Sequence, residues 1–213
     1  MFSLLPAKLK GFEKKLGDSA FTILDVGAGN HSASVIKKHF PGCRYFGIDI
    51  TKDYNNDEND FSKMEGFWEK DLTQLEFADI PDDFFNAILM NHIIEHLHNG
   101  DAVIKALLNK LKKGGYIYIE YPSGKSVNFP SKKGTLNFYD DPTHVRIYSV
   151  AELSGIMKPL GMEILSSGVR KDWRNIAMMP MKIIHNKLKY GFVYGSVFWD
   201  WYGFAEFIWA RKK

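Results

Sequence analysis

The chain has 213 residues, 45% of them hydrophobic and 25% charged, with a formal net charge of +3. That size and balance suit one globular domain with a substantial core, and so small a charge is no argument for nucleic acid. The single cysteine, Cys43, excludes an internal disulfide and a multi-cysteine metal site; after Pro41-Gly42 it reads as a core or surface residue and not as a catalytic thiol.

At the start, Phe2-Ser3-Leu4-Leu5 is too short for the apolar core of a signal peptide, and Pro6 interrupts it. No stretch approaches the roughly 18 apolar residues of a membrane span, so a cytoplasmic location is expected. Strand-like and helix-like segments then alternate, which predicts an α/β domain with a mainly parallel sheet. Residues 7–17 read as a short basic helix. Thr22 to Val26 is the first strand, ended by Gly27-Ala28-Gly29, and Ser32 is placed to cap a helix over 33–39. Tyr45 to Ile50 is the second strand. Residues 52–65 are polar and acidic and read as a loop with room for a short helix. Gly66 to Lys70 and Asn86 to Met90 supply the third and fourth strands. A helix from Asp101 to Leu111 closes on a basic last turn and the Gly114-Gly115 stop. Tyr116 to Tyr121 is the fifth strand. Residues 123–149 form a long loop, of the kind that is usually functional in a compact domain. A helix over 150–159 is capped by Ser149 with Glu152 at the capping-box position. Met162 to Leu165 and Phe207 to Ala210 complete the strands, with room between them for a helical cap.

Two features in this order carry chemistry. Asp25-Val26-Gly27-Ala28-Gly29 stands at a strand-to-helix turn, where glycine lets a ligand approach the backbone and helix-end amides can hold an anionic group. Asp49 ends the next strand about 20 residues on, where a carboxylate can accept hydrogen bonds from a ribose diol. Together they point to a cofactor of the adenosine type.

These segments resemble the class I S-adenosylmethionine-dependent methyltransferases. Ile23 to Gly29 resembles that family's first motif, and Phe46-Gly47-Ile48-Asp49 its second-strand acidic position. Asp71-Leu72 falls where adenine is usually met. Asn91-His92-Ile93-Ile94-Glu95-His96-Leu97 resembles the segment after the fourth strand in many small-molecule members, and Leu111 to Ile119 the helix, glycine turn and fifth strand. The resemblance covers about residues 20–165. It implies a Rossmann-like sheet of seven mostly parallel strands with an antiparallel last strand and helices on both faces. It also implies one domain over 1–213, with cap-like insertions at about 123–149 and 171–203. S-adenosylmethionine is the implied cofactor: Gly27 and Gly29 would approach its methionyl part, Asp25 its amino group, Asp49 the ribose, Asp71 and Leu72 the adenine, with Asn91 and His92 near the sulfonium. Where the family often has a third glycine, this chain has His31, whose side chain is placed to narrow or redirect the methionine pocket.

The acceptor side is read from the loop Asp140 to Ser149. His144 is a candidate general base, because an unperturbed imidazole titrates near neutrality; His92 is a second. Arg146 and Tyr148 are candidates for binding the acceptor, which the resemblance implies is a small molecule. Glu95 reads as structural. His92 and His96 stand four apart and share a face if helical, but no sequence-local carboxylate motif completes a site, so no metal is expected. Residues 190–209 hold ten aromatics and are preceded by Lys182, Lys187 and Lys189. They read as core and pocket wall, as an acceptor pocket, or as peripheral contact with a membrane or partner. Two rivals stand beside methyl transfer. One is a methyltransferase-like module that binds ligand or a partner without catalysis. The other is a nicotinamide-dependent oxidoreductase, although Ser32 occupies the position where such enzymes carry their third glycine. Nucleic acid is not expected as a partner, because no basic stripe or Asn-Pro-Pro-Tyr-type motif is present.

Overall fold

Apolar residues alternate along the central strands, and each set of alternates finds its own layer of helices. In the computed structural model, which describes residues 5–17 and 19–213, β1 (Thr22–Val26) sends Leu24 and Val26 to one side and Ile23 to the other, the period-two consequence of an extended backbone. On the Leu24 side pack Val103, Ile104 and Leu107 of α4 (Gly100–Lys110) and Leu153 and Met157 of α5 (Val150–Met157). The Ile23 side is covered by Phe12 of α1 (Lys10–Leu16) and by Ala33 and Ile36 of α2 (Ser32–His39). Phe12 meets Trp209 edge to face at 4.7 Å, which ties the leading helix to the last strand. Of the Phe2–Leu5 stretch, Phe2 to Leu4 lie outside the described residues.

The remaining strands are β2 (Arg44–Asp49), β3 (Gly66–Glu69), β4 (Phe85–Asn91), β5 (Leu111–Pro122), β6 (Met162–Val169) and β7 (Ala205–Lys212). They form one sheet in the order β3-β2-β1-β4-β5-β7-β6, parallel except for β7, which runs antiparallel to both β5 and β6. Strand order reverses between β1 and β4, so their carboxyl ends border the crevice where open α/β sheets bind ligands.

Several expected boundaries move. The sixth and seventh strands are twice as long as their apolar cores, because each pairs along its length with a neighbour. Lys112 to Gly115 belong to β5, not to a helix end, since α4 stops at Lys110. Ser32 is the first residue of α2 and not its cap; its hydroxyl donates to Asp25, and His31 stands at the cap in a left-handed conformation. Ser149 does cap α5, accepting from Glu152 N at 3.2 Å. The acidic 52–65 segment carries one short helix, α3 (Glu58–Phe61), closed by a reciprocal Asp57–Asp60 capping box. The segment between β6 and β7 is helical, with α6 (Trp173–Ala177), α7 (Met179–Tyr190) and α8 (Trp199–Tyr202).

Candidate active site

At the tip of β1 the backbone turns at Gly27 with φ +83, and a Cβ there would stand 2.2 Å from Cδ1 of Ile93. A side chain is excluded both by conformation and by space. Gly29 is similarly overlain by Tyr54. The amides of this turn are largely spent on protein carbonyls. Gly27 N and Ala28 N donate to Ile48 O, Asn30 N to Tyr54 O at 2.8 Å and His31 N to Asn55 O at 3.2 Å. The anion cradle expected of helix-end amides is therefore closed by the β2–α3 loop.

What the turn presents is a set of acceptors. Asp25 is buried; Ser32 and Tyr45 hydroxyls both donate to its Oδ2, the latter at 2.7 Å, so Oδ1 takes neither. Burial pushes its carboxyl above the usual range, against the opposing pull of Lys8 and the two hydroxyls. Asp49, at the end of β2, is likewise raised by burial, opposed by backbone amides of Ile50, Thr51 and Gly29. Among the described residues neither carboxylate has a cation within ion-pair distance. Asn56 donates to Ala28 O at 2.9 Å, while its own Oδ1 is buried without a partner.

The other predicted cofactor residues sit differently. Asp71 caps the turn Leu72–Gln74, its carboxylate taking Thr73 N at 2.9 Å, the Thr73 hydroxyl and the Gln74 amide. Leu72 is buried in the core layer that contains α4. His31 does not narrow the turn: its Nδ1 lies 2.6 Å from Asp60 Oδ2, which draws the ring toward α3.

Beyond the ends of β4 and β5 lies a cavity of about 330 Å³. Asn91 and His92 line it, together with Glu120, Arg170, Arg174 and Trp199. His92 is held at φ +55, with its backbone N bonded to Glu120 O at 2.8 Å. Its Nδ1 is 3.1 Å from Glu95 Oε1 and its Nε2 is 3.4 Å from Glu120 Oε1. Burial works against charging this ring, but the two carboxylates outweigh it and raise its pKa to about 9. Two carboxylates against one ring favour its charged form, a setting that suits a positive donor better than a base. Glu120 also forms an ion pair with Arg170, whose Nε lies 2.9 Å from Oε1, and accepts the Tyr118 hydroxyl at 2.5 Å; Arg170 in turn donates to Asp200 at 2.7 Å. Sequence reading missed this buried chain of charges. The signal was there in Glu120, a carboxylate inside an otherwise apolar strand.

The loop residues expected at the acceptor lie elsewhere. Arg146 donates to Glu152 at 2.7 Å and to Asp101, and its guanidinium lies 4.6 Å over the Tyr148 ring. Tyr148 is buried, its hydroxyl on Leu97 O at 3.0 Å. Both therefore clamp the 141–149 loop against α4 and do not line the cavity. His144 is also turned inward, with Nδ1 2.7 Å from Phe138 O and its ring against Phe138 and His96.

A family model described as a methyltransferase domain matches residues 1–167. No curated protein matches the chain by sequence. Among solved structures, an S-adenosylmethionine-dependent methyltransferase from Archaeoglobus fulgidus is 21% identical, with 97% of this chain and 92% of that chain covered and a TM-score of 0.59. Another from Mesorhizobium loti is 12% identical over 97% and 98%, with a TM-score of 0.63. The [4+2]-cyclase SpnF is 20% identical over 94% and 78%, with a TM-score of 0.62. At such identities the likeness is one of fold, and SpnF illustrates that the fold does not fix the reaction.

Proposed function

We propose, from the premise that this chain belongs to the class I S-adenosylmethionine-dependent methyltransferases, that it binds S-adenosylmethionine at the β1–β2 edge and methylates a small polar acceptor in the adjoining cavity. The observation that carries the reading is the acceptor set at the carboxyl ends of β1 and β2. Asp25 and Asp49 offer oxygen lone pairs with no cation at ion-pair distance among the described residues, and the buried Asn56 Oδ1 nearby has no partner of its own. That chemistry fits a ligand rich in donors, with an ammonium group, ribose hydroxyls and an adenine amine. Asp25 Oδ1 is free for the ammonium group and Asp49 for the diol. When bound, the sulfonium supplies an electrophilic methyl group.

The chain's contribution to transfer is orientation. Asn91, the last residue of β4, and His92 after it line the cavity and would face the sulfonium from there. The cavity wall carries four cationic groups, Lys8, His92, Arg170 and Arg174, against two carboxylates, Glu120 and Asp172. This balance favours an acceptor bearing a carboxylate or phosphate. Both wall carboxylates are held below their usual range: Glu120 against its burial by His92 and Arg170, Asp172 chiefly by Arg174. Neither is a strong base, so the reading assigns the rate to proximity and alignment more than to proton removal.

Calorimetry of the whole chain with S-adenosylmethionine, S-adenosylhomocysteine and NADH tests the assignment. Saturable binding of the first two is expected. Saturation by NADH alone would move the chain to the oxidoreductase reading. Tight donor binding with no methyl transfer to a panel of anionic small molecules would favour a non-catalytic module.

A further inference from the structure

We propose that Glu95, His96 and His144 form a binding site for one divalent transition-metal ion. The three come from the turn after β4 and from the 141–149 loop, and their ligand atoms all lie within 4.8 Å of one another. His144 Nε2 is 4.0 Å from Glu95 Oε1 and 3.9 Å from Asp141 Oδ2.

Hydrogen bonding fixes the tautomers. Phe138 O, 2.7 Å from His144 Nδ1, can only accept, so that nitrogen carries the proton. The Thr143 hydroxyl donates to Asp141, so 2.9 Å from His96 Nδ1 it must accept. Thr143 O, 3.2 Å from the same nitrogen, also accepts. With Nδ1 protonated, Nε2 is the nitrogen that each ring can offer to a metal. Backbone carbonyls holding the far ring nitrogen are the usual support of metal-binding histidines.

The second observation is Glu95 itself. Its side chain is 1% exposed, and its Oε2 has no hydrogen-bond partner. Glu95 Oε1, the oxygen 4.0 Å from His144 Nε2, is held from its other side by His92 Nδ1 at 3.1 Å, while Oε2 is left without a donor; a half-satisfied buried carboxylate beside two imidazoles is an arrangement that a cation completes. Two nitrogens and a carboxylate suit zinc, cobalt or iron better than magnesium or calcium. Tetrahedral ligation at ~2.0–2.1 Å puts ligand atoms roughly 3.3 Å apart, so the side chains need draw in by about an ångström. Asp141 Oδ2 or water completes the shell. Glu95 O also accepts Val145 N and Arg146 N at 2.9 and 3.1 Å, and Glu95 Oε1 faces His92 on the cavity wall. A bound ion would therefore pin the loop and the cavity wall to one another.

The test is titration of the chelator-stripped full chain with Co2+ alone. One equivalent with the visible bands of a four- or five-coordinate site is expected. The bands should vanish in His96→Gln and His144→Gln and survive in His31→Gln, which belongs to a separate group with Asp57 and Asp60. Binding weaker than about 100 µM, bands that persist without His144, or bands lost with His31 overturn the proposal. Should either ligand variant fail to fold, histidine ring NMR of wild type decides: Zn2+ must shift His96 and His144 and leave His185 in place.

A different observation carries a second inference, that α7 rests on an anionic lipid surface. This helix has no buried residue. Met181, Ile184 and Leu188 share one face and are 65%, 60% and 83% exposed. Trp173 and Trp201 are exposed on the neighbouring helices. From 173 to 199 there is no Asp or Glu, while Arg174, Lys182, Lys187 and Lys189 are present. An outward apolar stripe edged only by cations suits a helix lying in the plane of a negatively charged interface. No helix of the described residues is long and apolar enough to cross a membrane. Arg174, Asn175 and Met178 also line the cavity, which sets it beside the proposed lipid face.

Cosedimentation of the full chain with phosphatidylcholine vesicles, with and without about one-third phosphatidylglycerol, tests this. Binding to the anionic vesicles alone is expected, falling at least tenfold in Ile184→Glu/Leu188→Glu with unchanged melting temperature. No binding, equal binding to neutral vesicles, or a dimer in sedimentation that the same double variant dissolves overturns it.

Discussion

Replacing Asp49 by Ala removes the carboxylate proposed to hold the ribose. The position is half-buried at the end of β2, and its oxygens already meet the protein's own amides, including Ile50 N at 2.7 Å. Two further hydrogen bonds from a diol would be charge-assisted, each worth ~1.5–3 kcal/mol. Taking the lower figure for a partly solvated site gives about 3 kcal/mol, or roughly a hundredfold weaker binding. Calorimetry with S-adenosylhomocysteine measures it, with circular dichroism to verify the fold. Asp71→Ala is the internal control. Its carboxylate is consumed by the Leu72–Gln74 cap, so donor affinity should change by less than about threefold. If Asp49→Ala binds within threefold of wild type, the placement of the ribose on β2 is wrong, and with it the argument from the acceptor set.

Glu120→Gln leaves His92 and Arg170 facing each other without their shared counter-charge, and urea unfolding should register a loss of about 3 kcal/mol; a loss below 1 kcal/mol would mean that water already screens the network. Burial pushes the Cys43 thiol up to about 11, so native protein at pH 8 should react with a disulfide reagent roughly a hundredfold more slowly than an unfolded control. Asp140 is held near 2, as the Ser131 hydroxyl and the amides of Leu136, Lys132 and Asn137 outweigh burial. Its folded pKa lies below the unfolded value of about 3.9. Its stabilisation is therefore full above about pH 4 and is lost as pH falls toward 2. Asp140→Asn should lower the melting temperature at pH 7 and flatten the decline below pH 4, read by calorimetry.

The sheet was legible in the sequence because its signals are local. Apolar runs, glycine turns and Ser149 at the head of α5 each act over a few residues, and the position of Asp49 follows from strand length alone. Gly27 was legible for the same reason, as only glycine tolerates a turn closed over by Ile93. The ends of β6 and β7 were not, since polar residues there are strands only because a neighbour pairs with them.

Site chemistry divides along the same line. Which residue types the chain carries, and in what order along it, is settled by the sequence: carboxylates after two strands, histidines after the fourth, an Arg and His in a late loop. Whether a histidine is a base, a fixed cation or a metal ligand depends on what lies within a few ångströms, and those neighbours arrive from far along the chain. The charged form of His92 is favoured because β5 brings Glu120 to it, and His144 meets Glu95 from across the 97–143 stretch. Charge state and ligation are set by burial and proximity, which come into being only when the strands and loops have packed.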